Sequence, residues 1–295
     1  MGLIESIIMG IIQGVTEFLP VSSSGHLAIF KNFFGLSEVG ISFDILLHVG
    51  TLVAVFICFW NDIWELIVNG FGILGDVFKN FGYFLVNLTK GSKSSDKKNY
   101  VNIISTPYRR YVLLIIVATI PTGIMGILLK DLIESATTAL LIPGICLLIT
   151  SVLLMIADNA KDGKETEDNF SYKKAGIIGI CQGFATMPGI SRSGTTITAC
   201  LMTGMDRAFA VRFSFIVSIP AILGAAILDL PDMFNESISA AQWANYITGT
   251  VVSAIVGYIC IKTMLKVVRK KKFKGFSIYC AIMGIIAIIG YFVMM

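Results

Sequence analysis

The sequence predicts an all-α integral membrane protein with an inverted-topology repeat, six transmembrane helices and two re-entrant helix–loop–helix hairpins. Mean hydropathy is +0.81, and only 14% of the 295 residues are charged, against about 25% in soluble domains. Residues 10–25 (GIIQGVTEFLPVSSSG) and 179–194 (GICQGFATMPGISRSG) agree at seven of sixteen positions without a gap. A polar segment that recurs within apolar sequence is typical of membrane proteins with internal symmetry.

Six apolar segments have about the 20 residues that a transmembrane helix needs. They are residues 42–60, 111–129, 138–157, 211–229, 243–265 and 276–294. The two polar segments differ, because each places a Pro/Gly break between short apolar runs, and hydrocarbon cannot satisfy the freed backbone groups. We interpret residues 1–35 and 174–205 as re-entrant hairpins, with two full spans apiece as the alternative.

A constant offset of 169 residues relates the two polar segments and divides the chain into halves. The first repeat covers residues 1–157, a cytoplasmic linker covers 158–173, and the second repeat covers 174–295. Each half contains a hairpin followed by three spans. Because three is an odd number of crossings, the second copy is predicted to be inverted, and the broken helices of inverted repeats meet near the membrane midplane.

An insertion at residues 61–110 lengthens the first half. Residues 62–90 have an amphipathic pattern, and residues 91–99 are rich in Lys, Ser and Asp. We expect an interfacial helix followed by a flexible loop on the cytoplasmic side.

The basic residues predict the orientation in the membrane. Of the 23 Lys and Arg residues, Arg192 lies in a hairpin, Lys31 and Lys130 fall on one side, and the other 20 fall on the opposite side. Lys and Arg accumulate in cytoplasmic loops, so both termini are predicted to be extracytoplasmic. Acidic residues interleave with the basic ones, and no basic aromatic stripe is present, which argues against a nucleic-acid partner.

The first hairpin contains a candidate cation site. Gln13 and Glu17 are four residues apart on one helical face, where an amide oxygen and a carboxylate can share Mg²⁺ or Ca²⁺. The alternatives are that Glu17 marks a helix end near the interface and that Gln13 joins helices by hydrogen bonding. An intramembrane ionisable residue is a functional hypothesis by default.

Ser22, Ser23, Ser24 and His26 follow Glu17 in the first hairpin. Serines at a helix start cap free N–H groups, and the same N–H groups and helix dipole bind anions such as phosphate. A serine beside a histidine can also supply a nucleophile and its base. The alternative for His26 is a structural role.

The second hairpin supplies hydrogen-bond donors. Arg192 has no acidic residue in its own motif, and its planar guanidinium recognises phosphate oxygens through two parallel bonds. Its polar neighbours are Gln182, Ser191, Ser193, Thr195 and Thr196. The alternative is a structural salt bridge with Glu17 across the pseudo-twofold axis, which is costly for stability alone. An acid, an arginine and several hydroxyls facing one cavity suit a diphosphate.

Asp44 and His48 are four residues apart in the first full span. They are interpreted as an internal polar pair, and the sequence assigns them no role.

These motifs resemble the bacterial undecaprenyl-diphosphate phosphatase family, which is also known for bacitracin resistance. The resemblance rests on QGVTEFLPVSSSGH at 13–26, PGISRSGTT at 188–196 and FSFIVSIP at 213–220, and only the insertion at 61–110 interrupts it. It implies a hydrolase of the bacterial cell membrane that removes the terminal phosphate of a C55 isoprenyl diphosphate, with Mg²⁺ or Ca²⁺. The product is the monophosphate lipid carrier for cell-wall synthesis.

The resemblance also implies roles for individual residues. The metal-binding motif falls on Gln13 and Glu17. Many members have Glu at the first position, so Gln13 is expected to weaken the cation site or to leave Glu17 as the dominant ligand. The family's serine and histidine fall on Ser23 and His26, and its phosphate-binding arginine falls on Arg192. Whether Ser23, His26 or a water molecule attacks is left open. The resemblance adds Ser191, Ser193 and Thr196 beside Arg192 as phosphate contacts. From the polar pattern of the two hairpins we also expect Ser22, Ser24, Gln182 and Thr195 to contact the diphosphate.

Two other functional classes compete with catalysis. Inverted repeats with broken helices are also the architecture of secondary transporters, so a polyprenyl-phosphate flippase is the main alternative, and a non-catalytic lipid-binding protein is the third. The cavity is expected to open to the extracytoplasmic side, where the acidic loops lie. The sequence is compatible with a homodimer and does not require one.

Overall fold

The computed structural model describes residues 1–36, 40–89, 97–136, 140–236, 238–270 and 272–294. Over these ranges the chain forms helices, with one isolated β-bridge between Glu165 and Met205. The predicted all-α class is confirmed.

The helices run from α1 to α12 in chain order. Their bounds are α1 Leu3–Phe18, α2 Ser23–Phe33, α3 Ile41–Cys58, α4 Trp60–Thr89, α5 Pro107–Leu128, α6 Lys130–Ala136, α7 Leu141–Asn159, α8 Tyr172–Phe184, α9 Arg192–Met202, α10 Arg207–Asn235, α11 Ala240–Arg269 and α12 Lys274–Met294. Within the described ranges, six are long and apolar enough to cross a membrane: α3, α5, α7, α10, α11 and α12. They coincide with the six predicted spans, so the chain is a multi-pass membrane protein.

Both polar segments form pairs of short helices. The first pair, α1 and α2, has 16 and 11 residues, and the second pair, α8 and α9, has 13 and 11 residues. Each helix is shorter than the roughly 20 residues that cross a bilayer, and the chain breaks where the Pro/Gly positions predict. Re-entry of these hairpins into the membrane and the inverted orientation of the halves stay predictions.

The glycines repeated in α1 and α8 allow close helix packing. A Cβ atom on Gly10 would lie 2.5 Å from the backbone oxygen of Gly249 in α11, and one on Gly183 would lie 2.7 Å from the Met125 side chain in α5. Small residues at such interfaces let helix backbones approach each other closely. The pairing is reciprocal: α1 of the first half packs on α11 of the second, and α8 of the second half packs on α5 of the first.

Helix α10 contributes much of the buried core. It packs against α3, α5, α9 and α11, and its residues Phe213 and Val217 are fully buried. The ring of Phe213 contacts the rings of Tyr111 and Phe170. This packing fixes α10 beside α9, the second helix of the second hairpin.

Helix α4 lies within the insertion. It has 30 residues, close to the predicted 62–90, and exposes large apolar side chains such as Phe71 and Phe78. Its Asp76 pairs with Arg109 at 2.5 Å. The predicted helix is present, and its place at the membrane interface stays a prediction. Of the loop predicted at 91–99, residues 91–96 lie outside the described residues.

Ion pairs join the loops at one end of the helix bundle. Arg212 near the start of α10 bonds Asp62 of α4 at 3.2 Å and Glu167 of the linker at 3.1 Å. Arg207 pairs with Asp162 at 2.7 Å. These contacts tie the insertion and the linker to α10 at the end predicted to be cytoplasmic.

We predict that Gly10→Ala destabilises the protein by about 1–3 kcal/mol, because the added methyl group forces α1 away from α11. Thermal unfolding of the purified protein in detergent measures the change. The control is Gly123→Ala in α5, where an added Cβ meets nothing within 4 Å and the change favours helix formation. Equal melting temperatures for the two variants would contradict the packing assignment.

Candidate active site

Glu17 is the centre of the polar cluster. It lies in the last turn of α1, and its side chain is only 3% exposed. Its Oε1 forms an ion pair with Arg192, the first residue of α9. Its Oε2 accepts hydrogen bonds from the Ser23 hydroxyl at 2.6 Å and from Gln13 Nε2 at 3.0 Å. We call Gln13, Glu17, Ser23 and Arg192 the Glu17 cluster.

The cluster contains the salt bridge that the sequence left as an alternative for Arg192. The Arg192 side chain is 22% exposed and its partner is only 3% exposed. A buried carboxylate needs a charge partner and hydrogen bonds to remain ionised, and the cluster supplies both. The two hairpins therefore bring together an acid and an arginine that are 175 residues apart.

The two hairpin turns have the same capping pattern. The hydroxyl of Ser22 accepts from the Gly25 N–H at 3.2 Å, and the hydroxyl of Ser191, 169 positions later, accepts from the Gly194 N–H at 3.1 Å. Ser22 has φ +70°, a conformation that costs a non-glycine residue about 1–3 kcal/mol and clusters at functional sites.

The tips of the two turns touch each other. A Cβ on Gly25 would lie 3.0 Å from the Cα of Gly189, and one on Gly194 would lie 3.2 Å from the Cβ of Pro20. Gly189 has φ +94°, which favours glycine at this turn, and its N–H points to the Ser24 hydroxyl at 3.5 Å. The contact is reciprocal, because Pro20 and Gly189 occupy equivalent positions in the repeat.

Spans α7 and α12 pack on each other, and both contact the hairpin turns. The Thr150 hydroxyl of α7 donates to the Gly189 carbonyl at 3.0 Å and accepts from the Ser191 N–H at 2.9 Å. The Cys280 thiol of α12 lies 3.7 Å from the Pro20 carbonyl. Two full spans therefore also contact the hairpin turns.

Helices α2 and α9 both begin at the Glu17 cluster, with Ser23 and Arg192 as their first residues. A helix N-terminus carries partial positive charge and free N–H groups, so it binds anions. The N-termini of α2 and α9 and the Arg192 guanidinium therefore lie together at the Glu17 cluster. This electrostatic arrangement suits a ligand with several negative oxygens.

A narrow pocket adjoins the cluster. Its lining residues are Glu17, Phe18, Arg192, Ser193, Ser214, Phe215 and Ser218. Of the predicted residues, Ser193 lines this pocket, and the Thr196 hydroxyl bonds the Arg192 carbonyl at 2.8 Å and the Ser214 hydroxyl at 2.5 Å. The sequence analysis did not single out Ser214 and Ser218, although both lie within the FSFIVSIP motif at 213–220.

His26 contacts residues outside the Glu17 cluster. Its Nδ1 is 2.8 Å from the Ser22 carbonyl oxygen, its Nε2 is 2.8 Å from the Tyr279 hydroxyl, and its ring stacks on the Tyr279 ring. Both ring nitrogens are therefore engaged, and the histidine ties the first tip to α12. Sequence reasoning missed Tyr279. A catalytic role for His26 stays a prediction.

Gln182 occupies the position in the second copy that Gln13 occupies in the first. Its Nε2 donates to the Thr122 hydroxyl at 3.1 Å and to the Val217 carbonyl at 3.4 Å. These bonds join α8 to α5 and α10. The predicted contacts of Gln182 and Thr195 with a diphosphate stay predictions.

His48 faces the cluster from α3. Its Nε2 lies 3.7 Å from Glu17 Oε2. The spacing from Asp44 marked His48 as polar within an apolar span, but its neighbour across the fold was not identifiable from the sequence.

The cluster offers oxygen donors for a cation. Among the residues that the structure describes, no group of three His, Cys, Asp or Glu side chains is close enough to hold a metal alone. Glu17 supplies one carboxylate, and Gln13 Oε1 is buried without a hydrogen-bond partner in the described part of the chain. Mg²⁺ commonly binds one or two carboxylates and completes its shell with substrate phosphates. The residues fit a cation held jointly with a phosphate.

Comparison with known proteins identifies the family of this chain. The profile of the family described as bacitracin resistance protein BacA matches residues 6–286. The chain belongs to this family. A relative from Methanosphaera stadtmanae named undecaprenyl-diphosphatase is 42% identical over 97% of each chain. Proteins of the same name from Desulforapulum autotrophicum (39%, covering 99% of this chain and 100% of the relative) and, numbered 4, from Bacillus thuringiensis (37%, covering 98% and 97%) are also similar.

Proposed function

We propose that this protein is a membrane-embedded undecaprenyl-diphosphate phosphatase, which releases inorganic phosphate and regenerates undecaprenyl phosphate for cell-wall synthesis. The observation that carries the proposal is the meeting of Glu17, Ser23 and Arg192 from two separate hairpins in one partly buried cluster. Near-full-length similarity to relatives named undecaprenyl-diphosphatase supports the substrate and the reaction. Their names give no support to the flippase alternative.

Substrate binding is assigned to Arg192 and the N-termini of α2 and α9. Arg192 is more exposed than Glu17, so the guanidinium is the partner that is able to turn toward an incoming phosphate. Phosphate oxygens accept paired bonds from guanidinium and single bonds from the hydroxyls of Ser193 and Ser24. The isoprenyl tail extends sideways between helices, because the outward faces of the spans are apolar.

Ser23 is assigned to the attack on the terminal phosphorus. In the direct route, the Ser23 hydroxyl passes its proton to Glu17 Oε2, its oxygen bonds to phosphorus, the bridging P–O bond breaks, and undecaprenyl phosphate leaves with the electron pair. Water then hydrolyses the phosphoserine to give inorganic phosphate. In the other route, Ser23 positions the water that attacks. The Ser23 hydroxyl donates to Glu17, which orients its oxygen in both routes. Positioning and charge neutralisation suffice for phosphoryl transfer.

Glu17 and Gln13 would hold the divalent cation, Mg²⁺ or Ca²⁺, through the carboxylate and the Gln13 amide oxygen, which has no hydrogen-bond partner among the described residues. When bound, the cation neutralises charge on the diphosphate and so favours the transition state. His26 handles a proton only if Tyr279 yields or relays it, because Tyr279 occupies Nε2.

The site is proposed to open to the extracytoplasmic side of the cell membrane. His48, beside Glu17, has a side chain that is 31% exposed, and one turn away the half-buried Asp44 pairs with Lys31 at 2.6 Å. The opposite end carries the Arg212 and Arg207 ion pairs. With the basic loops in the cytoplasm, both termini and the Asp44 end of α3 lie outside.

Phosphate release from C55 isoprenyl diphosphate by the purified protein in detergent tests the function. We expect hydrolysis with Mg²⁺ or Ca²⁺, loss of activity with a chelator, and recovery when the cation is restored. A carrier releases no phosphate in this assay. Absence of hydrolysis with either cation would overturn the proposal.

Arg192→Ala and Glu17→Ala are each predicted to lower kcat about a hundredfold or more, because most of the charge stabilisation is lost. The same phosphate-release assay measures the loss, and thermal unfolding confirms that the variants are folded. Arg109→Ala is the control. It also removes an arginine from an ion pair, but Arg109 pairs with Asp76 and neither residue belongs to the Glu17 cluster. Near-normal turnover in either site variant would contradict the assignment.

A further inference from the structure

His48 lies beside the Glu17 cluster, and none of the steps assigned to Glu17, Ser23 and Arg192 involves it. Its Nε2 is 3.7 Å from Glu17 Oε2, which is longer than a hydrogen bond. The same oxygen accepts from Ser23 and Gln13, while Arg192 occupies Oε1. The imidazole therefore faces the side of the carboxylate away from the arginine.

The other ring nitrogen of His48 is hydrogen-bonded to the backbone of its own helix. Nδ1 is 2.8 Å from the backbone carbonyl oxygen of Asp44. A carbonyl only accepts hydrogen bonds, so Nδ1 carries a proton, and Nε2 is the ring nitrogen that faces Glu17. A cation placed between Nε2 and Oε2 would be bound by both atoms. Histidines that bind metals have this arrangement, with one N–H donated to a carbonyl and the other nitrogen free.

The spacing and the neighbouring donors also suit a cation. Two ligands about 2.1 Å from one ion stand roughly 3–4 Å apart, and the distance of 3.7 Å lies in this range. Gln13 Oε1, buried and without a hydrogen-bond partner in the described ranges, is a further donor. The His48 side chain is 31% exposed, against 3% for Glu17, so the cluster is more accessible at His48 than at the carboxylate.

We propose that His48 Nε2 is a ligand of the divalent cation bound at Glu17, which makes the site a mixed nitrogen–oxygen site. This inference rests on the proposed function only in taking Glu17 as the cation-binding residue. The Glu17 cluster contains one carboxylate, because Gln13 is an amide. The His48 imidazole adds a third metal ligand to this set. A nitrogen ligand raises the affinity for transition-metal ions such as Mn²⁺ relative to Ca²⁺.

Pulsed electron paramagnetic resonance of Mn²⁺ tests this ligand directly. The full-length protein, labelled with ¹⁵N-histidine, is stripped of metal in detergent and loaded with Mn²⁺. We expect a histidine nitrogen coupling in the wild type, its loss in His48→Gln, and its retention in His26→Gln, the matched control at the chain's other histidine. The Kd for Mn²⁺ is expected to rise about tenfold in His48→Gln, and the Kd for Ca²⁺ to rise less.

Three outcomes would overturn the inference: no Mn²⁺ bound to the wild type, bound Mn²⁺ without histidine coupling, or a coupling that survives in His48→Gln. Phosphate release from the same samples separates this inference from the proposed function. Hydrolysis by wild-type protein that lacks the coupling rejects His48 as a ligand and supports the phosphatase. A His48 coupling in protein that releases no phosphate with any cation supports the ligand and rejects the phosphatase.

Discussion

The ion pair between Glu17 and Arg192 is the contact on which the arrangement of the two hairpins depends. Its acid lies at the end of α1 and its arginine at the start of α9, so each of these two charges is paired by a residue of the other hairpin. A buried charge without a partner costs several kcal/mol (about 3–5 when one partner is removed). The pair therefore favours the one arrangement in which the tips meet.

The repeated positions form the scaffold, and the positions that differ carry the chemistry. Ser22 and its equivalent Ser191 cap both turns in the same way, and the repeated glycines admit the facing helices. Ser23 and Arg192 occupy equivalent positions in the two copies, yet one is a hydroxyl and the other a cation. The repeat thus places a hydroxyl and a guanidinium at equivalent positions, at the N-termini of two helices with the same capping pattern.

The spans and the two hairpin breaks were predictable from the sequence, because hydropathy and Pro/Gly positions are local properties. The closeness of Glu17 to Arg192 was predictable from the repeat alone, since equivalent turns in a symmetric fold are expected to meet. Other contacts depend on side chains from helices far away in the chain. Tyr279 of α12 engages His26 and His48 of α3 faces Glu17, and no spacing in the sequence links these pairs.

A double-mutant cycle on Glu17 and Arg192 tests the central claim most directly. The free energy of unfolding in detergent is measured for the wild type, Glu17→Gln, Arg192→Gln and the double variant. We predict that each single change destabilises the protein, and that the double variant is more stable than the sum of the two losses implies, by about 1–3 kcal/mol. Additive losses would contradict the account, because they would mean that the two side chains do not interact.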